Sequence, residues 1–162
     1  MLRNPLLVLA FFMPCVGFAQ LSKGEGKSVT LKDSKFSCFL PKYFEIQEQP
    51  PGVMHKASGT FIIAVKVPGE KKISHEGLHR SFFEDPRYEI LSLTEENDAK
   101  PQGTHSQAWL MRYKIKGNEF ERYTALVIHG DEQYLIIGNY SMKFKDQVVA
   151  EVKKVMESFT IR

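Results

Sequence analysis

The sequence predicts an α+β domain built on a twisted, mainly antiparallel sheet flanked by helices. Three observations carry that expectation. From Phe36 onward apolar residues recur mostly at every second position, the spacing of strands that bury one face. Between residues 106 and 140 the alternation is interrupted only by two short turn signals, Gly117-Asn118 and Gly130-Asp131, as in a meander. Over 146–159 the spacing changes to three and four, with Val148, Val149, Val152, Val155, Met156 and Phe159 forming one stripe of an amphipathic helix.

The elements follow in chain order. Residues 35–40 and 43–49 alternate as strands on either side of Pro41, and Pro50-Pro51-Gly52 stops the second. Strands over 53–57 and 60–67 are joined by a turn at Ser58-Gly59, and Pro68-Gly69 ends the pair. A helix is expected from Ser74 to about Glu84, with Ser74 as N-cap, Ile73 and Leu78 as a hydrophobic staple, and Pro86 as the stop. A strand over 87–94 leads into a polar loop over 95–106. Three strands then run over 106–116, 119–129 and 133–140. After the terminal helix, 159–162 returns as a short edge strand. The alternating faces are expected to bury most of the phenylalanines.

Composition narrows the function. The 162 residues are 43% apolar, 25% charged and 12% aromatic, ordinary for one domain with a real core. A net charge of +3, with signs interspersed, offers no basic stripe for nucleic acid. Residues 1–19 read as a secretory signal peptide. Arg3 supplies a positive start, 6–18 is an uncharged apolar run, and Gly17 and Ala19 place small residues before a cut at Gln20. An anchor retained in the membrane is the alternative. Pro14 before Cys15 fits a lipoprotein cleavage site badly. The expected address is therefore periplasmic or secreted, with no transmembrane segment after cleavage. Residues 20–35 are polar and glycine-containing, a flexible lead-in with room for a short strand at 28–31, and 36–162 forms a single domain. Of the two cysteines only Cys38 remains after cleavage. Its place in the alternation Phe36, Cys38, Leu40 suits a buried small hydrophobe.

One motif carries chemistry. His75-Glu76-Gly77-Leu78-His79 matches H-E-x-x-H. Two imidazoles four apart on a helix share a face and can ligate one zinc ion, and Glu76 between them can act as general base on the metal-bound water. Against this, a catalytic zinc site needs a third protein ligand; Glu95 and Glu96 follow at a plausible distance but begin a polar loop where a second ligand helix is expected, and His105 and His55 are no better placed. Gly77 weakens a short helix, and the rest of the chain alternates like a sheet protein. The competing readings are packed helix histidines, a structural or adventitious metal site, and a zinc peptidase.

Other candidates are less specific. Trp109, Tyr113, Tyr123, Tyr134 and Tyr140 could form an aromatic platform, although alternating strand positions favour packing. Arg112 and Arg122 lie on facing strands near Glu119 and Glu121, where they could hold an anionic ligand or pair with those carboxylates. Glu95, Glu96 and Asp98 lack the spacing of a calcium loop. No phosphate-binding loop, nucleophile elbow or dinucleotide fingerprint is present.

The phrases FSCFLPKYFEI near the start and VVAEVKKVMESFTIR at the end carry a family resemblance. The opening runs through Phe39-Leu40-Pro41, and the close is Glu157-Ser158-Phe159-Thr160-Ile161. With the element order above, residues 36–162 resemble the PsbP-like family, which includes exported bacterial DcrB-type proteins. The resemblance implies an αβα sandwich used as an accessory or interaction module, with no enzymatic activity and no cofactor. The leading expectation is an exported, non-enzymatic binding protein of the envelope with a protein or small-molecule partner. A zinc peptidase with His75 and His79 as ligands and Glu76 as base is the alternative. A lipid or ligand carrier with a cavity between sheet and helix is the third.

Overall fold

The computed structural model describes residues 25–32, 34–69, 72–73, 78–101 and 105–162. The signal-peptide expectation lies outside these residues. Ten strands and two helices follow one another: β1 (Gly26–Thr30), β2 (Phe36–Pro41), β3 (Glu45–Gln47), β4 (Gly52–His55), β5 (Thr60–Lys66), α1 (Arg80–Phe83), β6 (Glu89–Glu96), β7 (His105–Ile115), β8 (Asn118–His129), β9 (Glu132–Ser141), α2 (Lys145–Ser158) and β10 (Thr160–Ile161). Seven strands form one sheet in the order β3-β4-β5-β9-β8-β7-β6, and β1-β2-β10 form a second. Every strand pair is antiparallel.

The meander arises as the sequence predicts, with its first turn one residue earlier. Lys116 and Gly117 both have positive φ, 46° and 83°, which matches the right-handed twist of the flanking strands in a two-residue hairpin. The turn therefore sits at Lys116-Gly117, and Asn118 opens β8. The lead-in is also more ordered than expected. Residues 26–30 form β1, in register with β2 from Gly26↔Pro41 to Thr30↔Ser37.

Helix α2 lies across one face of the large sheet. Val148, Val152, Val155 and Met156 are fully buried, packed with Ile62, Ala64, Tyr123, Ala125, Ile136 and Tyr140 from the sheet and with Phe36 and Cys38 from β2. Gly138 on β9 makes this close approach possible, because a Cβ there would stand 3.0 Å from Val152 Cγ1 and 3.3 Å from Met156 Sδ. These side chains pack against one another between helix and sheet. Cys38 is buried as expected, and burial pushes its thiol up to about 12.

The opposite face is covered differently. Of the helix expected from Ser74 to Glu84, residues 74–77 lie outside the described residues; within 78–84 the single turn α1 is helical, and Leu78 and His79 precede it in non-helical backbone. Leu78 and Phe83 nevertheless bury onto the sheet with Met111, Tyr113 and Leu126. The Leu78 amide donates to Gln107 Oε1 at 2.8 Å. Among the described residues one face thus carries a full helix and the other the short segment 78–83. Of the nine phenylalanines beyond residue 19, Phe36, Phe44, Phe83 and Phe159 are buried, Phe39, Phe61, Phe120 and Phe144 are half-buried, and Phe82 is 46% exposed.

Candidate functional site

Strand parity sorts the candidate residues onto the two faces. Tyr123, Tyr134 and Tyr140 point beneath α2 and belong to its core. Burial pushes the Tyr123 and Tyr134 phenols up to about 12, and that of Tyr140 is raised further. Tyr140 donates its hydroxyl to Glu121, and Lys145 Nζ lies 2.8 Å from the other oxygen of that carboxylate. Trp109 and Tyr113 lie on the opposite face. The five aromatic residues therefore form no single platform.

The two arginines part in the same way. Arg112 pairs with Glu119, its Nε donating at 3.1 Å. Arg122 faces the other side, where no described carboxylate lies within ion-pair distance. Its guanidinium stacks 4.9 Å from the Tyr113 ring and 5.8 Å from that of Tyr88, and a terminal nitrogen donates to Tyr113 Oη at 3.2 Å. Tyr113 in turn donates its hydroxyl to Asn139 Oδ1 at 2.7 Å. Arg122 Nε is buried and makes no hydrogen bond. Tyr88, whose hydroxyl donates to the Phe83 carbonyl at 2.7 Å, fastens this cluster to the end of α1. Asp85 is nearby, but its carboxylate accepts from Arg87 Nε at 2.8 Å, and these bonds hold its pKa down to about 2.

Register places Arg122 in the middle of the face. The row Met54, Phe61, Asn139, Arg122, Met111, Leu93 crosses six strands, and Arg122 is its single charge. The next row is Gly52, Ile63, Ile137, Thr124, Trp109, Glu95. Phe61, Ile63 and Ile137 are half-buried and pack into neither hydrophobic core, while Val65 is 37% exposed. A strip of partly buried apolar side chains thus lies beside a guanidinium stacked on tyrosines, whose charge reaches Asp85.

A second depression, of about 370 Å³, lies between β2 and the ends of β5 and β9, lined by Phe36, Pro50, Pro51, Ala64, Val65 and Tyr134 among others. Glu132 closes its rim. Bonds from Lys66, then Tyr134 and Lys35, hold its carboxyl down to about 2.

Of the H-E-x-x-H motif, His75 and Glu76 lie outside the described residues. His79 is exposed and caps α1 with extended backbone, φ −98° and ψ 161°. The helical path that the four-residue spacing requires does not extend through Leu78 and His79. Among the described residues no group of three or more His, Cys, Asp or Glu side chains converges as a metal site. Glu95 and Glu96 fall within β6 and not in the polar loop expected there. No helix among the described residues is long and apolar enough to cross a membrane. The half-open face, with Asn139 and Tyr88 joined to Arg122, is the arrangement that sequence reasoning missed. Parity along β8 and β9 would have placed Arg122 and Asn139 together, but nothing in the pattern shows which face lacks a full cover.

No protein-family model and no curated protein sequence matches the chain. Solved structures do. The solution structure of cyanobacterial PsbP (CyanoP) from Synechocystis sp. PCC 6803 superposes with a TM-score of 0.54 at 10% identity, over 93% of this chain and 99% of that one. The crystal structure of the Saccharomyces cerevisiae Ran-binding protein Mog1p superposes with a TM-score of 0.55 at 14% identity, over 85% of this chain and 95% of that one. At such identities the likeness concerns architecture, and on it the chain has the α+β fold shared by PsbP and Mog1p.

Proposed function

We propose that the chain is an exported, non-enzymatic binding protein of the cell envelope, of the DcrB type within the PsbP-like group, and that it docks a partner protein on the sheet face opposite α2. The observation that carries this reading is the strip of Phe61, Ile63 and Ile137, half-buried and outside both cores. An apolar strip beside an arginine that stacks on tyrosines has the composition of an interaction hot spot. Mog1p, described as a Ran-binding protein, supports the use of this fold for protein partners. The leader at 1–19 supports export.

The test has two arms. Mass measurement of the protein recovered outside the cytoplasm should give a chain beginning at Gln20; a chain confined to the cytoplasm with residues 1–19 intact would overturn the export reading. Cross-linking in envelope extracts should capture a partner that Ile63→Asp abolishes and Lys154→Asp, on the α2 side, preserves. Equal capture by both variants would remove the docking face.

A further inference from the structure

We propose that Arg122 is the anchoring point for a carboxylate of the partner protein that docks on this face. The inference rests on the docking reading above and names the chemistry at its centre.

A guanidinium carries five donors and a permanent charge. In Arg122 one donor is used on Tyr113 Oη, and the buried Nε has no partner. Stacking on Tyr88 and Tyr113 holds the planar group in place, and Asp85, the carboxylate that feels its charge, is hydrogen-bonded to Arg87 instead. The relay through Tyr113 to Asn139 fixes one edge of the fork before any ligand arrives, which reduces the entropy lost on binding. The guanidinium is half-buried, so an anion reaching it is screened less than one at an exposed arginine. Charge complementarity with a surrounding apolar row therefore calls for one anionic group carried on an apolar surface.

A single carboxylate fits better than a phosphate. A phosphate dianion calls for more than one cation, and the nearby Arg87 is already engaged by Asp85, while Arg112 lies on the opposite face with Glu119. A second copy of this chain fits badly as well. A two-fold axis through the centre of the face would bring two Arg122 guanidinium groups together.

The test uses the 15N-labelled chain and two probes, N-acetyl-aspartyl-phenylalanine amide and its asparaginyl counterpart. The aspartyl probe should move the backbone amides of Tyr113, Arg122 and Asn139 in a saturable way. The asparaginyl probe, and Arg122→Gln titrated with the aspartyl probe, should each bind at least tenfold more weakly. Equal response to both probes overturns the proposal, and so does unchanged binding in Arg122→Gln. Saturation of the same amides by inorganic phosphate at lower concentration would replace the carboxylate with a phosphate. The comparison of two probes on the unsubstituted chain stands even if Arg122→Gln misfolds. A silent aspartyl probe together with loss of the cross-linked partner in Ile63→Asp would remove the role of Arg122 and leave the docking face in place.

Discussion

Lys145, the first residue of α2, places Nζ 2.8 Å from Oε1 of Glu121 in the middle of β8. Glu121 is 5% exposed, and Tyr140 donates to its other oxygen. The start of the covering helix is thereby tied to the sheet through a buried carboxylate that needs both partners. Lys145→Met is expected to lower stability by about 1–2 kcal/mol, the range for a charge-assisted hydrogen bond discounted for the half-exposed lysine. Urea denaturation checks this, and Lys145→Arg should recover most of the loss.

Close packing under α2 gives a second expectation. Gly138→Ala places a methyl group 3.0 Å from Val152 Cγ1, tighter than side chains tolerate without movement. It should destabilise by about 1–3 kcal/mol, as overpacked cores do. Combining it with Val152→Ala should cost less than the sum of the two single changes, because the shortened side chain makes room for the methyl. Additive losses would show that the contact is not the cause.

Glu132 sets an acid limb. Its pKa in the folded chain is about 2, below its ordinary 4.5, through bonds from Lys66, Tyr134 and Lys35. A depressed carboxyl contributes stability that is fully present above the unfolded value and is lost as pH falls through the folded one. Thermal melts should therefore show Glu132→Gln less stable than the parent at pH 7, with the difference shrinking between about pH 4.5 and 2. A constant gap across that window would mean the carboxylate's charge plays no part.

Zinc gives a direct check on the H-E-x-x-H motif. With His79 exposed beside extended backbone, the purified chain is expected to hold well under one equivalent of zinc, and Glu76→Gln to leave casein uncleaved to the same extent as the parent. Stoichiometric metal with Glu76-dependent cleavage would reinstate the peptidase alternative.

Particular elements show where the sequence was legible. The α2 stripe is strong because six apolar residues repeat at helical spacing over four turns, so the observed bounds differ from the expected ones by one residue. The meander is legible because alternation and turn chemistry agree, although turn register moved by one when Lys116 took a positive φ. The helix expected at 74–84 was over-read. Leu78, Phe82 and Phe83 fit a helical stripe, yet Leu78 buries from non-helical backbone and Phe82 stays exposed. Strand β1 was under-read because its residues are mostly exposed, and its hold on β2 comes from the backbone ladder, which leaves no hydrophobic signature.

Alone, the amino-acid order determined an α+β chain, its strand faces, its terminal helix and the burial of Cys38, because periodicity dictates which side chains share a side. Only the tertiary structure decided which face receives the long helix and which stays half open. That choice depends on how α2 folds back over β5, β9 and β2 and on how little of 78–83 becomes helical. Arg122 and Arg112 are alike in the linear pattern; register across β7, β8 and β9 sends one into an ion pair with a carboxylate and leaves the other stacked on tyrosines.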